Sequence, residues 1–370
     1  MKRLFFLFLV VSGLFACGDS GDDNPQPVDN FDRKAMLIHW ADNIIVPALE
    51  ASFQSFNELE NATLTFRQEA TSENLEAVQT AWLNAYIAWQ RAGIYEIGKA
   101  EELQLISLIN LYPTDVDGIE ENIAAGEYNL DLPSQKTRQG LPAMDYMLYG
   151  LGANNAETLA KYQDGATGES YREYLLDISE KMRQNMEQVR TDWSAGYRET
   201  FIDNDGNSAT ASTDRLVNDY IFYYEKHLRA GKVGIPAGVF SGNTLPQNVE
   251  APHRQDVSKE LLLTALDATQ DFFNGVAFDG SSTGPSLATY LAELETNKDG
   301  QPLADVINAQ FDAARTIIQG LDDNFVNLVN TNNIAMLEAY DALQLNVVNL
   351  KVDMLQALNI NVDFVDADGD

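Results

Sequence analysis

Apolar residues recur along this chain at spacings of three and four, the period of a helix with one buried face. Ile38, Ala41, Ile45, Leu49 and Phe53 share one such face. Pro47 within that run predicts a kink or a restart, because proline brings no N–H to the helical ladder. The clearest helix covers 73–97, ENLEAVQTAWLNAYIAWQRAGIYEI, with Leu75, Val78, Trp82, Tyr86 and Trp89 in one stripe. Ser72 suits its N-cap and Gly98 its stop. Residues 110–139 carry Pro113, Gly118, Gly126 and Pro133 and predict a long loop with short helical turns, the kind of segment that often carries function. Helix resumes at 141–150, where Pro142 falls in a first turn that needs no donor from it. A further long helix covers 169–199.

FIDNDGNSATASTD, 201–214, is the strongest punctuation in the chain and predicts a domain boundary. Ser212 or Thr213 suits the cap of the next helix, which the pattern carries to about 230. A second irregular segment, AGKVGIPAGVFSGNTLPQNVEAPH, spans 230–253, and helices follow near 254–274, 285–296, 301–320 and 331–358. Strand candidates such as NINVDFV at 359–365 are short. The expected class is all-α, with two helical-bundle domains over 32–205 and 206–370.

The N-terminus changes the picture of where such bundles work. MKRLFFLFLVVSGLFAC has a basic start and an apolar run too short for an ordinary membrane span, the pattern of a signal peptide over 1–16. Leu14-Phe15-Ala16-Cys17 reads as a lipobox, so Cys17 is the expected lipidation site and the lipid bilayer an expected partner. Residues 17–31 then form an acidic, polar tether. Placement in the cell envelope, anchored to the outer membrane, follows; both the periplasmic and the surface-exposed face stay open. Cys17 is the only cysteine, so no intrachain disulfide supports the fold. The formal charge of −32, from 56 acids against 24 lysines and arginines, repels nucleic acid and attracts cations.

Taken together, ADNIIVPALEASF (41–53), AWLNAYIAWQRAGIYEIG (81–98), GLPAMDYMLYG (140–150), AGKVGIPAG (230–238) and the ending LKVDMLQALNINVDFVDADGD (350–370) resemble the imelysin family of bacterial envelope proteins. The resemblance implies two bundle-like domains with a site in the cleft between them. The family was first described as metallopeptidases, and many members are linked to iron uptake. Its signature is GxHxxE. Here Gly140 matches the glycine, Pro142 stands where the histidine belongs and Asp145 where the glutamate belongs. Proline has no donor atom, so a transition-metal site built on that imidazole is broken, whereas a harder oxygen site on Asp145 stays open.

Other candidate residues gather around these segments. A carboxylate among Met144, Tyr146, Met147 and Leu148 is costly unless paired, so Asp145 is either a ligand-binding or metal-binding group or a helix-dipole acid. Glu96 is a second candidate for ligand or metal contact, and Arg91 either clamps a carboxylate or pairs with Glu96. Trp82 and Trp89 suit the core, with Trp89 also near the candidate site. Lys232 and Glu225 flank the glycine-rich 230–238 segment on the rim of the implied cleft, where Lys232 meets an anionic ligand, or Asp145, or solvent. DVDG (115–118) and DNDG (203–206) lack the full calcium-loop spacing; Ser212 stands where the second would close on glutamate. His39, His227 and His253 lie far apart, no HExxH occurs, and His227 is explained by a helix-end contact.

The expected function is therefore a lipid-anchored envelope binding protein, linked to uptake of iron or an iron complex, leaning away from catalysis. Its cargo is iron, another divalent cation or a small ligand, and its partners include envelope uptake components but no nucleic acid. Two alternatives stand: a metallopeptidase-like enzyme, and a surface interaction module without a small-molecule site.

Overall fold

Pro47 sets the course of the first helices. A computed structural model describes residues 29–362, so Cys17, the leader, most of the tether and the acidic DADGD end lie outside the described residues. Helix Arg33–His39 runs into a wide π-type turn, Trp40–Ile45, and restarts as Val46–Gln68 with Pro47 in its first turn. Pro47 has no N–H to offer the carbonyl of Asn43 four residues back. The peptide N–H of Phe278 donates to that carbonyl instead, at 2.8 Å. A proline gap in one helix thus becomes the attachment point of a segment more than two hundred residues away.

Val46–Gln68, Ser72–Ala92 and Gly165–Asp192 pack together as the main helices of the first half. The cap of the second is Thr71, not Ser72: Thr71 is extended, and its hydroxyl accepts from the Asn74 N–H at 3.2 Å. That helix also stops at Ala92 rather than near Gly98, because the chain turns at Gly93 and buries Ile94, Tyr95 and Ile97. Within the 110–139 segment, Val116–Ala125 forms a full helix capped by the Asp115 side chain, and Pro133–Arg138 a 3₁₀ turn. The calcium-loop hint at 115–118 is in fact this cap.

The second half is built on Ser212–Phe222, Ser258–Asn274, Leu303–Gln319 and Asn333–Val347. Ala211 occupies the N-cap of the first, with no side-chain cap; Ser212 and Thr213 are already buried inside it. This helix does not end near 230. It continues as the wide-turned Tyr223–Gly234, a geometry that is frequent at functional sites. Ser258–Asn274 packs on Ser72–Ala92 and joins the halves. From Phe31 onward the chain clusters as one compact unit, with a continuous apolar core from Met36 to Ile360. The described strands are a two-residue pair, Asn297–Lys298 against Gln301–Pro302. Among the described residues no helix is long and apolar enough to cross a membrane.

Trp82 is the keystone of the first half. It is fully buried, its indole N–H donates to the Leu141 carbonyl at 3.0 Å, and its ring packs edge-on against Tyr86. Trp82→Ala removes that packing and takes one donor from the Leu141 carbonyl. The expected loss is about 3–5 kcal/mol of unfolding free energy, read as a lowered urea midpoint.

Candidate functional site

The stretch GLPAMDYMLYG folds as helix Gly140–Asp145 followed by the wide turn Tyr146–Gly150. It is buried from Gly140 through Leu148. Gly140 sits at φ +82°, and a β-carbon there would lie 2.5 Å from the Ile109 carbonyl oxygen, so glycine is required at this position. Both carboxylate oxygens of Asp145 are engaged by peptide groups: Oδ2 accepts from the His253 N–H and Oδ1 from the Arg254 N–H, each at 2.9 Å. Burial pushes this carboxyl up to about 7, against the pull of those two N–H groups and of the Arg254 charge. Asp145 is thus a clasp on the 253–254 backbone.

A second buried carboxylate organises the space between the halves. Glu250 accepts at Oε1 from Asn110 Nδ2 (2.7 Å) and Gln90 Nε2 (3.1 Å), and at Oε2 from the Lys232 ammonium. Lys232 and Glu250 are only 3% and 2% exposed, which makes this a fully desolvated ion pair. Burial lowers the Lys232 pKa, and the charge of Glu250 opposes that shift. The Tyr86 hydroxyl donates to Asn110 Oδ1 at 2.6 Å and orients the carboxamide. Three segments therefore converge on one side chain.

Beside this pair lies a cavity of about 140 Å³. One wall comes from the first half: Trp89, Ile106, Ser107, Asn110, Leu111 and Tyr112. The other comes from the Tyr223–Gly234 helix, where Tyr223, the pair Lys226 and His227, and the pair Gly231 and Lys232 fall on successive turns along one face. Burial holds the His227 imidazole down at about 4, helped by the Lys226 and Lys232 charges, so it is neutral. The Tyr112 and Tyr223 phenols are pushed well up, first by burial and then by the charge of Glu250. Among the described residues, the Lys226 ammonium and the Tyr112 and Tyr223 hydroxyls meet no hydrogen-bonding partner.

Of the residues singled out in the sequence, Trp89 and Lys232 line this cavity. Lys232 pairs with Glu250 and not with Asp145. Glu96 accepts the Ile106 N–H at 3.0 Å, and burial raises its carboxyl to about 7. Arg91 does not pair with Glu96; its guanidinium stacks on the Phe278 ring, 3.8 Å from the centroid, and donates to the Phe278 carbonyl. Glu225 is bound by Lys351 at 3.1 Å. His227, explained in the sequence by a helix-end contact, faces the cavity. Glu250, Asn110, Gln90, Tyr112, Tyr223 and Lys226 escaped the sequence reading. The row Tyr223, Lys226, His227, Gly231, Lys232 was the signal available for two of these, Tyr223 and Lys226; Glu250, in an irregular segment, had none.

Comparisons with known proteins agree with this architecture. The profile of the imelysin family matches residues 45–350. A curated relative, iron-regulated protein A of Synechococcus elongatus, is 24% identical over 110 residues, 30% of this chain and 30% of that protein. The chain thus aligns with less than a third of that relative's length. Two solved structures superpose with a TM-score of 0.69 over 90% of this chain. One is an imelysin-like protein from Psychrobacter arcticum, 20% identical and covered over 97%. The other is a putative iron-regulated protein A precursor from Parabacteroides distasonis, 17% identical and covered over 96%. At these identities the structures establish the shared helical fold.

The Asp145 clasp has a pH signature. Its folded pKa of about 7 lies above the unfolded value of 3.8, so the unfolded chain releases this proton first and stability falls as pH rises between the two. Asp145→Asn cannot ionise. Its loss of stability between about pH 5 and about pH 8 is expected to be smaller than that of the unsubstituted protein by about 1–3 kcal/mol. Urea unfolding at the two pH values measures this difference, and an unchanged difference means that Asp145 stays ionised throughout.

Proposed function

The chain belongs to the imelysin family, and from that premise we propose that it is a lipid-anchored cell-envelope protein that captures a small anionic iron complex, binding it without catalysis. The observation that carries this reading is the Lys226 ammonium, free of any partner among the described residues, on the rim of a cavity whose floor charges cancel in the Lys232–Glu250 pair. An unmatched cation over a neutral floor favours an anion. The formal net charge of −32 opposes this only weakly, since charges farther than about 8 Å from the ligand are largely screened at physiological ionic strength.

Names of the relatives support the iron link: one is called iron-regulated protein A, another a putative precursor of such a protein. The word precursor suits export to the envelope, and the lipobox at Cys17 suits an anchor there. Catalysis is disfavoured by the residues at the signature: Pro142 offers no ligand atom, and both oxygens of Asp145 already accept peptide N–H groups. In this reading Trp89 and Lys232 contact or frame the ligand, while Asp145, Glu96, Arg91 and Glu225 hold the walls.

Calorimetric titration of the Cys17→Ser protein with ferric citrate tests the proposal. Saturable binding is expected. Lys226→Glu reverses this unmatched charge and is expected to weaken binding at least about tenfold, or about 1.4 kcal/mol. An absence of saturable binding, or a Lys226→Glu protein that binds as tightly as its parent, overturns it.

A further inference from the structure

Three polar groups on the cavity wall, the hydroxyls of Tyr112 and Tyr223 and the imidazole of His227, make no hydrogen bond among the described residues. Tyr223 and His227 are one turn apart on the same helix, with ring centroids 5.8 Å from each other. Tyr112 reaches the same helix face from the opposite wall. Its hydroxyl would lie 3.3 Å from a β-carbon built on Gly231, the residue one turn beyond His227. The glycine is what admits the phenol at that spot. The Tyr112 oxygen, the Tyr223 oxygen and the His227 imidazole therefore face one cavity along a short stretch of one helix. Among the described residues neither hydroxyl nor the imidazole has a hydrogen-bonding partner. Tyr112 and His227 are only half-buried and all three groups border the cavity, so an arriving ligand can meet them.

We propose that Tyr112, Tyr223 and His227 are direct ligands of the iron in the captured complex, giving two phenolate oxygens and one imidazole nitrogen to a ferric ion. This rests on the reading of the cavity as an iron-complex site and names the atoms that would take hold of the metal. A ferric ion is hard and highly charged, so anionic oxygen suits it, and imidazole is a good accessory ligand for iron. Each phenol loses its proton on coordination, so two protons leave for each ion bound and no electron is transferred. The protein then contributes two negative charges against the ion's three. Up to three coordination positions stay with a hydroxycarboxylate chelator, whose outer carboxylate meets the Lys226 ammonium. Lys226 and the phenols thus divide the complex: the cation reads the chelator and the phenolates read the metal.

The test uses the Cys17→Ser protein and two probes, ferric citrate and gallium citrate, with calorimetry and visible absorption recorded together. Phenolate bound to ferric iron produces a visible charge-transfer band; closed-shell gallium produces none. The expected result is saturable binding of both complexes and a visible band with the ferric one only. Tyr112→Phe and Tyr223→Phe each weaken the band, and the double variant abolishes it and lowers ferric citrate affinity at least tenfold. Resonance Raman excitation in the band of the unsubstituted protein reports tyrosinate modes, so the assignment stands or falls without the variants if they misfold. Saturable ferric citrate binding with no band overturns the phenolate ligands and leaves the capture of an anionic complex standing. Failure of both complexes to bind overturns both.

Discussion

The carboxylate of Glu250 is the constraint on which the rest of the molecule depends. It is almost completely buried, and a charge so placed is tolerable only when fully paired and hydrogen-bonded. Its partners come from separate stretches of chain: Gln90 on the Ser72–Ala92 helix, Asn110 beyond the next short helices, and Lys232 on the wide-turned helix of the other half. None of these elements can shift without leaving a buried charge short of a donor. Such a pair is weak evidence for stability as such, since its desolvation cost rivals its attraction. It is strong evidence for a fixed geometry, because only one relative placement of the two walls satisfies every donor.

Asp145 extends this constraint to the segment that follows Glu250. The Glu250 carbonyl accepts the Ser258 hydroxyl at 2.8 Å, while three and four residues beyond Glu250 the peptide N–H groups of His253 and Arg254 reach into Asp145. An irregular stretch is thereby held at its two ends by two buried carboxylates. In this chain the signature position serves as a scaffold group. A shorter acid with a proline three residues before it is well suited to that work: Pro142 needs no donor in the first helical turn, and the carboxylate is free to face backbone rather than a ligand.

Much of the helical order was legible in the apolar spacing, since it is written locally. The Trp82 stripe, the restart at Pro47 and the break near 204 all follow from residues within a few positions of one another. Helix ends were less legible. Thr71 and Ala211 hold caps that neighbouring serines and threonines advertised more plainly, because burial of Ser212 and Thr213 overrides capping propensity. The helix through Tyr223–Gly234 outran the glycine at 231 because wider turns carried it on. Side-chain partnerships over long separations were illegible. Arg91 with Phe278, Glu225 with Lys351 and Lys232 with Glu250 are tertiary pairings that no local pattern encodes.

Those pairings decide the character of the cavity. A chain with so many acids offers carboxylates nearly everywhere, and bare cations can collect on them weakly at the surface. The interior follows another rule. Glu250 is matched by Lys232, Glu225 by Lys351, Asp145 by two peptide N–H groups and Glu96 by one. With the acids quenched, the cavity presents neutral phenols, a neutral imidazole, carboxamides and one unmatched ammonium. Phenol and imidazole cost far less to bury than ionised carboxylates, and they become strong donors only when an ion arrives to hold them. A surface that attracts cations thus encloses a cavity that refuses to bind them by charge alone. Discrimination inside it has to come from ligand geometry and from the anion that accompanies the metal.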